Sequence, residues 1–380
     1  MKPRMKKTQD ASTLYKLQTV TRACAILREL ARASQPMTLS EIVKQTGLER
    51  TIVFRLLKTL EEEGLLRRTE ARHYVSNVSI LTQKRFRIGY ASQSNDSFSR
   101  AVTQGLRWAA ERNQLDLIEV ENQYNARAAL RNAQRLAEQK VDLAIEFQVH
   151  ERMGLQLSEI YEKAGIPVIA IEIPQPGATF FGIDNYSVGQ VAGKALVKAA
   201  QRVWQAEIDE LLMLDLEVAG SLPHLRITAA ESTVRKSLAG SYQVLHLDSR
   251  GEMDRSFELV RRYLHFSPKR KTLICGVNDL AVLGALRAFT EAGRSECCLA
   301  LGVGALPEAR QELRSPQTRM IGSIATFPER YGDNLIQMAL DILCGRPVPP
   351  AVYAPIQLIT PGNIDKFYPS TLYAKADKKQ

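Results

Sequence analysis

Apolar residues recur every three to four positions in the first part of the chain, over 17–33, 40–47 and 49–63. This spacing places the apolar side chains on one face of a helix, so we predict three amphipathic helices. Two short runs at 65–68 and 73–75 then enclose a polar turn and predict a β-hairpin. A short helix, a glycine-containing turn, a second helix and a hairpin in this order are typical of a winged helix-turn-helix.

Polar residues mark the expected starts of several helices. Ser40, Asp184 and Asp279 each precede a helical pattern, and their side-chain oxygens can accept hydrogen bonds from the free backbone N–H groups of a first turn. Asp279 has a second candidate role, as a contact to a bound ligand. Gly47 follows the second helix and is expected to close it in the left-handed conformation.

From residue 86 onwards, short apolar runs alternate with amphipathic stretches of helical period. This alternation predicts parallel sheets covered by helices on both faces. Ten strands are more than a single open sheet usually contains, so we predict two doubly wound α/β lobes. The ligand cleft is expected at the carboxyl ends of the strands. The predicted strands are 86–91, 116–120, 141–147, 167–173, 179–183, 210–216, 242–247, 272–276, 298–303 and 319–325. The predicted helices include 98–112, 125–140, 152–164, 186–203, 252–265, 279–292 and 328–344.

These patterns divide the chain into five segments. We predict a disordered tail over 1–12, a winged helix-turn-helix head over 13–76, a linker over 77–85, a two-lobed body over 86–365 and a polar tail over 366–380. A chain of 380 residues with 45% hydrophobic and 24% charged residues has the composition of an ordinary globular protein.

The positive charge is concentrated at one end of the chain. The formal net charge is +10, and residues 1–85 alone carry 17 Lys and Arg against 8 Asp and Glu. A basic head on a nearly neutral body favours a polyanionic partner, and we predict double-stranded DNA.

Several classes of function are disfavoured by what the sequence lacks. It has no run of 18 apolar residues and no signal-peptide core in its first 30 residues, so we expect no membrane partner and a cytoplasmic location. The five cysteines have no CxxC spacing and the five histidines are isolated, so we expect no metal site, disulfide framework or cofactor. P-loop, GxSxG and HExxH motifs are absent, and we predict no enzyme activity.

The third helix of the head carries side chains suited to DNA recognition. In a helix-turn-helix, outward residues near the start of the second helix of the motif face base edges in the major groove. Arg50 and Arg55 can each pair bidentately with guanine, and Thr51 can contact a base or a phosphate. We predict DNA contacts from Arg50, Thr51, Phe54, Arg55, Lys58, Arg68 and Arg72.

Within residues 17–79 the sequence LSEIVKQTGLERTIVFRLLKTLEEEGLLRR is followed by RHYVSN. This stretch resembles the winged helix-turn-helix of IclR-type bacterial regulators. The resemblance implies a DNA-binding transcription regulator.

The body contains RIGYASQSNDSFSRAVTQGLRWAAE, AGIPVIAIE, FGIDNYSVGQVAGKAL, LICGVNDLAVLGALRAFTEAG and MIGSIATFPERYGDNLIQMALDIL, in that order. With these segments, residues 86–360 resemble the periplasmic sugar-binding fold of ribose-binding proteins and LacI-type repressors. Two positions depart from that pattern, because Gly302-Val303-Gly304 stands where an acid is common and Ile173 where an arginine is common. The resemblance implies a sugar or related small polar effector held by Ser92, Asp96, Phe98, Glu146, Glu172, Arg226, Asn278, Asp279 and Thr326.

Together these features predict a ligand-responsive transcription regulator. We expect a homodimer that pairs through the body, including helix 98–112, because one winged head binds only a half-site. Lobes joined near 184 and 326 can close on a ligand by hinge motion, so a repressor released by its effector is the first hypothesis. A ligand-activated activator and an α/β enzyme are the alternatives, whereas a transport-associated binding protein would have no use for a DNA-binding head.

Overall fold

The computed structural model describes residues 17–33, 35–69, 71–76 and 85–369. The predicted N-terminal tail, nearly all of the predicted linker and most of the polar tail lie outside these residues. The described chain forms two compact units, one built mainly from residues before 87 and the other from most of the rest.

The head folds as three helices followed by a two-stranded antiparallel hairpin. The elements are α1 (Gln18–Arg32), α2 (Leu39–Thr46), α3 (Arg50–Glu62), β1 (Leu66–Arg68) and β2 (Tyr74–Ser76). The apolar faces of the helices meet in a core, which confirms the predicted amphipathic pattern. This core is formed by Ile26, Leu27, Leu30, Met37, Ile42, Val53, Leu57, Leu60, Leu66 and Tyr74.

The start of α2 differs from the expectation, because Thr38 and not Ser40 is its N-cap. Thr38 Oγ1 accepts a hydrogen bond from the backbone N–H of Glu41 at 3.2 Å, and Glu41 Oε2 accepts one from the N–H of Thr38 at 2.7 Å. This reciprocal pair is a capping box. The hydrogen bonds that the Glu41 carboxylate accepts from the N–H and the hydroxyl of Thr38 lower its pKa. Gly47 closes α2 with φ 66°, as predicted.

The body contains two six-stranded sheets, which confirms the predicted two-lobed α/β architecture. The first lobe has the strand order β13-β7-β6-β5-β3-β4, formed by β3 (Arg87–Ser92), β4 (Asp116–Glu121), β5 (Leu143–Glu146), β6 (Val168–Ile171), β7 (Thr179–Gly182) and β13 (Ala351–Tyr353). The second lobe has the order β14-β12-β11-β10-β8-β9, formed by β8 (Glu210–Asp215), β9 (Gln243–Asp248), β10 (Thr272–Gly276), β11 (Cys298–Gly304), β12 (Met320–Ala325) and β14 (Gln357–Ile359).

Most neighbouring strands in both sheets pair in parallel, whereas β14 runs antiparallel to β12. The helices of the body are α4 (Ser97–Arg112), α5 (Ala126–Glu138), α6 (Gly154–Lys163), α7 (Asn185–Trp204), α8 (Ser221–Ser237), α9 (Met253–Phe266), α10 (Asp279–Glu291), α11 (Pro307–Leu313), α12 (Tyr331–Leu343) and α13 (Ile364–Phe367). Separate apolar clusters fill the two lobes.

The ten predicted strands and seven predicted helices of the body are all present, and four of the further elements were missed. The strands β13 and β14 have three residues each, too few to show an alternating pattern. The helices α11 and α13 have seven and four residues, too few to show a clear helical period.

The chain crosses between the lobes at three places. It leaves the first sheet after β7, returns after β12, and crosses again between β13 and β14. The first two crossings lie at the predicted positions near 184 and 326, and the third was not predicted. The N–H of Ala354 at the start of the third crossing donates to the carbonyl of Gly182 at 2.7 Å, so this crossing begins beside the carboxyl end of β7.

Candidate functional site

Helix α3 presents its polar face to solvent. Val53, Leu57 and Leu60 are buried, and the positions between them therefore point away from the core. Phe54 is 50% exposed, an uncommon environment for a phenylalanine and one that suits a contact to a thymine methyl group. The exposed residues of α3 include the predicted Arg50, Thr51, Phe54, Arg55 and Lys58.

The cations of this face have only weak partners within the head. Arg50 Nη1 donates to Ser40 Oγ at 3.2 Å, and Lys58 Nζ lies 3.9 Å from a carboxylate oxygen of Glu62. Exposed pairs of this kind contribute little to stability. Both side chains can therefore exchange these contacts for bases or phosphates.

The two predicted phosphate contacts of the hairpin are also exposed. Arg72 lies in the turn with φ 61°, and Arg68 lies opposite Tyr74 in the β1–β2 ladder. The guanidinium carbon of Arg68 is 5.8 Å from the centre of the Tyr74 ring, a cation–π contact that orients the side chain.

A cavity of about 100 Å³ lies between the two lobes of the body. Its walls are formed by residues that follow the carboxyl ends of strands, where ligands bind in open α/β sheets. Six of the nine predicted ligand residues line it, namely Asp96, Phe98, Glu172, Arg226, Asn278 and Thr326.

Glu172 and Arg226 form an ion pair across this cavity. Arg226 Nη2 lies 3.6 Å from Glu172 Oε2, and the hydroxyl of Tyr331 donates to Glu172 Oε1 at 2.7 Å. Arg226 also donates to Asn185 Oδ1 at 2.7 Å and to the carbonyl of Val277 at 2.8 Å. Burial raises the pKa of Glu172 and lowers that of Arg226, while the charge of each partner opposes the shift. The pair joins the first lobe to the second.

Asp96 organises the side of the cavity that belongs to the first lobe. Its Oδ2 accepts hydrogen bonds from the Tyr124 hydroxyl at 2.6 Å and from Ser94 Oγ at 2.9 Å. Its Oδ1 accepts from the N–H of Ser99 at 2.8 Å, close to the start of α4. The ring of Phe98 on α4 is thereby presented to the cavity.

Asn278, not Asp279, is the N-cap of α10. Asn278 Oδ1 accepts from the N–H of Ala281 at 2.9 Å, and its Nδ2 donates to a carbonyl of the β9–α9 loop at 2.9 Å. Asp279 is fully buried away from the cavity lining, where it accepts from the N–H of Leu306 at 2.8 Å and from Ser323 Oγ at 2.6 Å. Burial raises the pKa of Asp279 to about 6. Asp279 therefore stabilises the second lobe instead of capping α10 or contacting a ligand.

Ser92 and Glu146 also lie behind the cavity wall and not in it. Ser92 Oγ donates to the carbonyl of Val120 at 3.3 Å. Glu146 accepts from Asn122 Nδ2 at 2.9 Å and from the hydroxyl of Tyr161 at 2.8 Å, and burial raises its pKa to about 7. Ser92 is the last residue of β3 and Glu146 the last of β5, and their hydrogen bonds to other parts of the first lobe help to hold that lobe together.

Sequence reasoning missed most of the apolar wall of the cavity. Phe147, Leu216 and Val303 line it, and each lies at or just after the carboxyl end of a strand. That position was the available signal, but an apolar residue beside a strand more often belongs to a core.

Among the residues that the structure describes, no group of three or more His, Cys, Asp or Glu side chains could hold a metal ion. The helices of the described chain are also too short or too polar to cross a membrane.

Two families match the chain. Residues 88–347 match the periplasmic binding protein domain, and residues 19–70 match the IclR helix-turn-helix domain. No curated protein matches the chain.

Solved structures share the fold of the body at low sequence identity. A Mycobacterium smegmatis protein in complex with β-D-fucofuranose has a TM-score of 0.67 at 19% identity, covering 77% of this chain and 97% of its own. An ABC transporter periplasmic solute binding protein from Actinobacillus succinogenes 130z with bound D-allose has 0.66 at 17%, covering 74% and 100%. An ABC sugar transporter subunit from Rhodobacter sphaeroides 2.4.1 has 0.65 at 20%, covering 72% and 98%.

Proposed function

Because the chain belongs to the family of periplasmic binding protein domains and also carries an IclR helix-turn-helix domain, we propose that it is a transcription regulator whose DNA binding responds to a small molecule held between the lobes. The observation that carries the proposal is the Glu172–Arg226 pair, which joins the two lobes across a cavity. A ligand that enters this cavity contacts both lobes, so its binding energy depends on how far they are closed.

The DNA contacts are assigned to the exposed basic side chains of α3 and the hairpin. Arg50, Thr51, Phe54 and Arg55 face the bases, while Lys58, Arg68 and Arg72 bind phosphates. Their exposure and their position on the outer face of the head support this assignment. Base contacts give specificity and phosphate contacts give salt-dependent affinity.

We assign ligand contacts to Asp96, Phe98, Glu172, Arg226, Asn278 and Thr326, which line the cavity. The effector class to test first is a sugar or related small polar molecule, since proteins of the same fold hold D-allose and β-D-fucofuranose. The regulator acts in the cytoplasm, where DNA is accessible, and no enzyme activity is assigned to it.

The regulator is a homodimer and a repressor released by its effector. Two heads are needed to read two half-sites, and hinge motion within each body changes the spacing of the heads. Trp108 on α4 is 57% exposed, and its exposure supports pairing through that helix. Sedimentation at micromolar concentration should show a dimer, and Trp108→Asp should give a monomer that still binds DNA non-specifically.

The proposal is tested by selecting duplexes from a random DNA library with the full chain. We expect one enriched sequence with two half-sites and an affinity that falls steeply with salt. Pentoses, hexoses and polyols are then screened for thermal stabilisation, and each stabilising compound is added to the DNA complex. Release of DNA supports a repressor, tighter binding supports an activator, and failure to enrich any sequence contradicts the regulator function.

A further inference from the structure

The walls of the cavity are mainly apolar. Eleven of its nineteen lining residues have apolar side chains, and they come from both lobes. Phe98, Phe147 and Ile173 belong to the first lobe, while Leu216 and Val303 belong to the second. A ligand hydroxyl placed against such a wall loses its hydrogen bonds to water without replacement, which weakens binding.

The cationic group in the lining already has partners within the chain. The guanidinium of Arg226 donates to Asn185 and to the carbonyl of Val277, and its remaining nitrogen faces Glu172. An anionic ligand would compete with Glu172 for this guanidinium, and it would also lie near the carboxylates of Glu172 and Asp96. These charges disfavour carboxylate and phosphate ligands.

Two polar atoms of the described lining make no hydrogen bond, a carboxylate oxygen that can only accept and a hydroxyl that can accept or donate. Within the described chain, Glu172 Oε2 and Thr326 Oγ1 are buried and make no hydrogen bond. A buried acceptor left unpaired is costly, and a ligand that donates to it recovers that cost. The formal charge of the lining, from Asp96, Glu172 and Arg226, is negative by one, which accommodates a neutral or positively charged donor.

Phe98, Phe147 and Tyr124 also line the cavity. Their rings can pack against a hydrocarbon body, and their faces attract a cation. From these features, and resting on the proposed function, we propose that the effector is a small amphipathic molecule with an apolar body and a hydrogen-bond-donating alcohol or ammonium head, without a negative charge. This class is less polar than the sugars with which the screen begins, so the two effector classes are alternatives that the titrations below decide between.

Four cyclohexane derivatives test this proposal because they share one ring. Cyclohexanol and cyclohexylamine carry one donor group, myo-inositol carries a hydroxyl on every ring carbon, and cyclohexanecarboxylate is an anion. Titration calorimetry with the full-length chain should show binding of the first two, with the other two at least about ten-fold weaker. Tighter binding of myo-inositol, equal binding of the carboxylate, or no binding of either single-donor probe at about 20 mM overturns the proposal.

A variant of the wall locates the binding. Val303→Thr keeps the shape of the side chain but adds a hydroxyl to the cavity, and it should weaken cyclohexanol binding by about three-fold or more. The matched control is Val203→Thr, at a valine on α7 that is 41% exposed, which should leave the affinity unchanged. Equal affinities of the two variants would place the probe outside the cavity and overturn the assignment.

The same experiments separate this inference from the proposed function. DNA release by a monosaccharide, with no binding of the single-donor probes, overturns the effector class and leaves the regulator intact. Binding of the single-donor probes by a chain that enriches no DNA sequence supports the amphipathic cavity and contradicts the regulator.

Discussion

Glu172 concentrates several unfavourable features in one residue. Its backbone has φ 61°, a left-handed conformation that costs a residue with a side chain about 1–3 kcal/mol. Its carboxyl is buried, and burial raises its pKa against the opposing influence of Arg226. Such strain persists where the surroundings fix it and is concentrated at functional sites. Glu172 is therefore the residue of the cavity that best marks a binding site.

Glu146 gives the first lobe a pH-dependent stability of predictable sign. Its pKa is raised from 4.5 to about 7 in the folded chain, mainly by burial. The folded state therefore holds the proton that the unfolded state releases, and stability is lost as the pH rises from about 4.5 to 7. Urea unfolding should show the wild type losing stability relative to Glu146→Gln across this window. The stability of Glu159→Gln, a change at an exposed acid, should vary with pH as that of the wild type does. If the stability of Glu146→Gln also varied with pH as the wild type does, the raised pKa of Glu146 would be contradicted.

Arg55 and Arg72 distinguish base contacts from phosphate contacts. Arg55→Ala should cost about 1–3 kcal/mol in binding to the selected DNA and relax its base preference. Arg72→Ala should weaken all sequences alike and reduce the salt slope by about one. Fluorescence anisotropy over a salt series measures both effects, with Arg202→Ala on α7 as a control for lost charge. Equal losses on specific and random DNA for Arg55→Ala would show that α3 is not the recognition helix.

At the scale of elements, the packing of α7 against α8 fixes the position of Arg226 in the cavity. Gly189 on α7 lies against the backbone of Arg226 on α8, and a Cβ at Gly189 would be 2.4 Å from the Arg226 carbonyl oxygen and 2.7 Å from the Cβ of Ala229. The two helices can approach this closely only because the glycine has no side chain. Their packing therefore sets the position from which Arg226 reaches Glu172.

Gly189→Ala should separate these helices. We expect a loss of about 1–3 kcal/mol of stability from overpacking, together with weaker effector binding because Arg226 is displaced. The control is Gly362→Ala, where the nearest neighbouring atom would be 3.9 Å from the new Cβ and the change should stay within about 0.5 kcal/mol. Urea unfolding and calorimetry measure the two effects, and unchanged stability of Gly189→Ala would show that the contact relaxes without cost.

Elements with a strong period were predictable from the sequence, and side-chain partners were not. Periodicity located α3 and the parallel strands because it depends on neighbours in the chain. The choice of Thr38 over Ser40 as a cap depends on which hydroxyl reaches Glu41, and the burial of Asp279 depends on Ser323, 44 residues away. The apolar wall was missed for the same reason, since only the folded chain shows which apolar residues face the cavity.

At the scale of the molecule, several contacts join the two lobes of the body. Besides the Glu172–Arg226 pair, Ser97 of the first lobe donates to Glu308 of the second, and Ser221 of the second donates to Glu151 of the first at 3.4 Å. An apolar cluster that includes Val149 and Ala219 lies between the lobes as well. Because these contacts are made by side chains of the protein itself, part of the free energy that brings the lobes together comes from the chain.

Removing one of these contacts should lower the apparent affinity for the effector. Glu308→Ala loses the hydrogen bond to Ser97, which contributes about 0.5–1.5 kcal/mol to lobe closure. The population of closed molecules therefore falls, and the apparent effector affinity weakens by about two- to ten-fold. The radius of gyration of the free protein from small-angle scattering should rise, and saturating effector should restore the wild-type value. Glu159→Ala, a change at an exposed acid on α6, should alter neither quantity. Closure depends on the sum of the contacts that differ between the open and closed states. If Glu308→Ala kept both the wild-type radius of gyration and the wild-type affinity, the apolar cluster and the ion pair alone would determine closure.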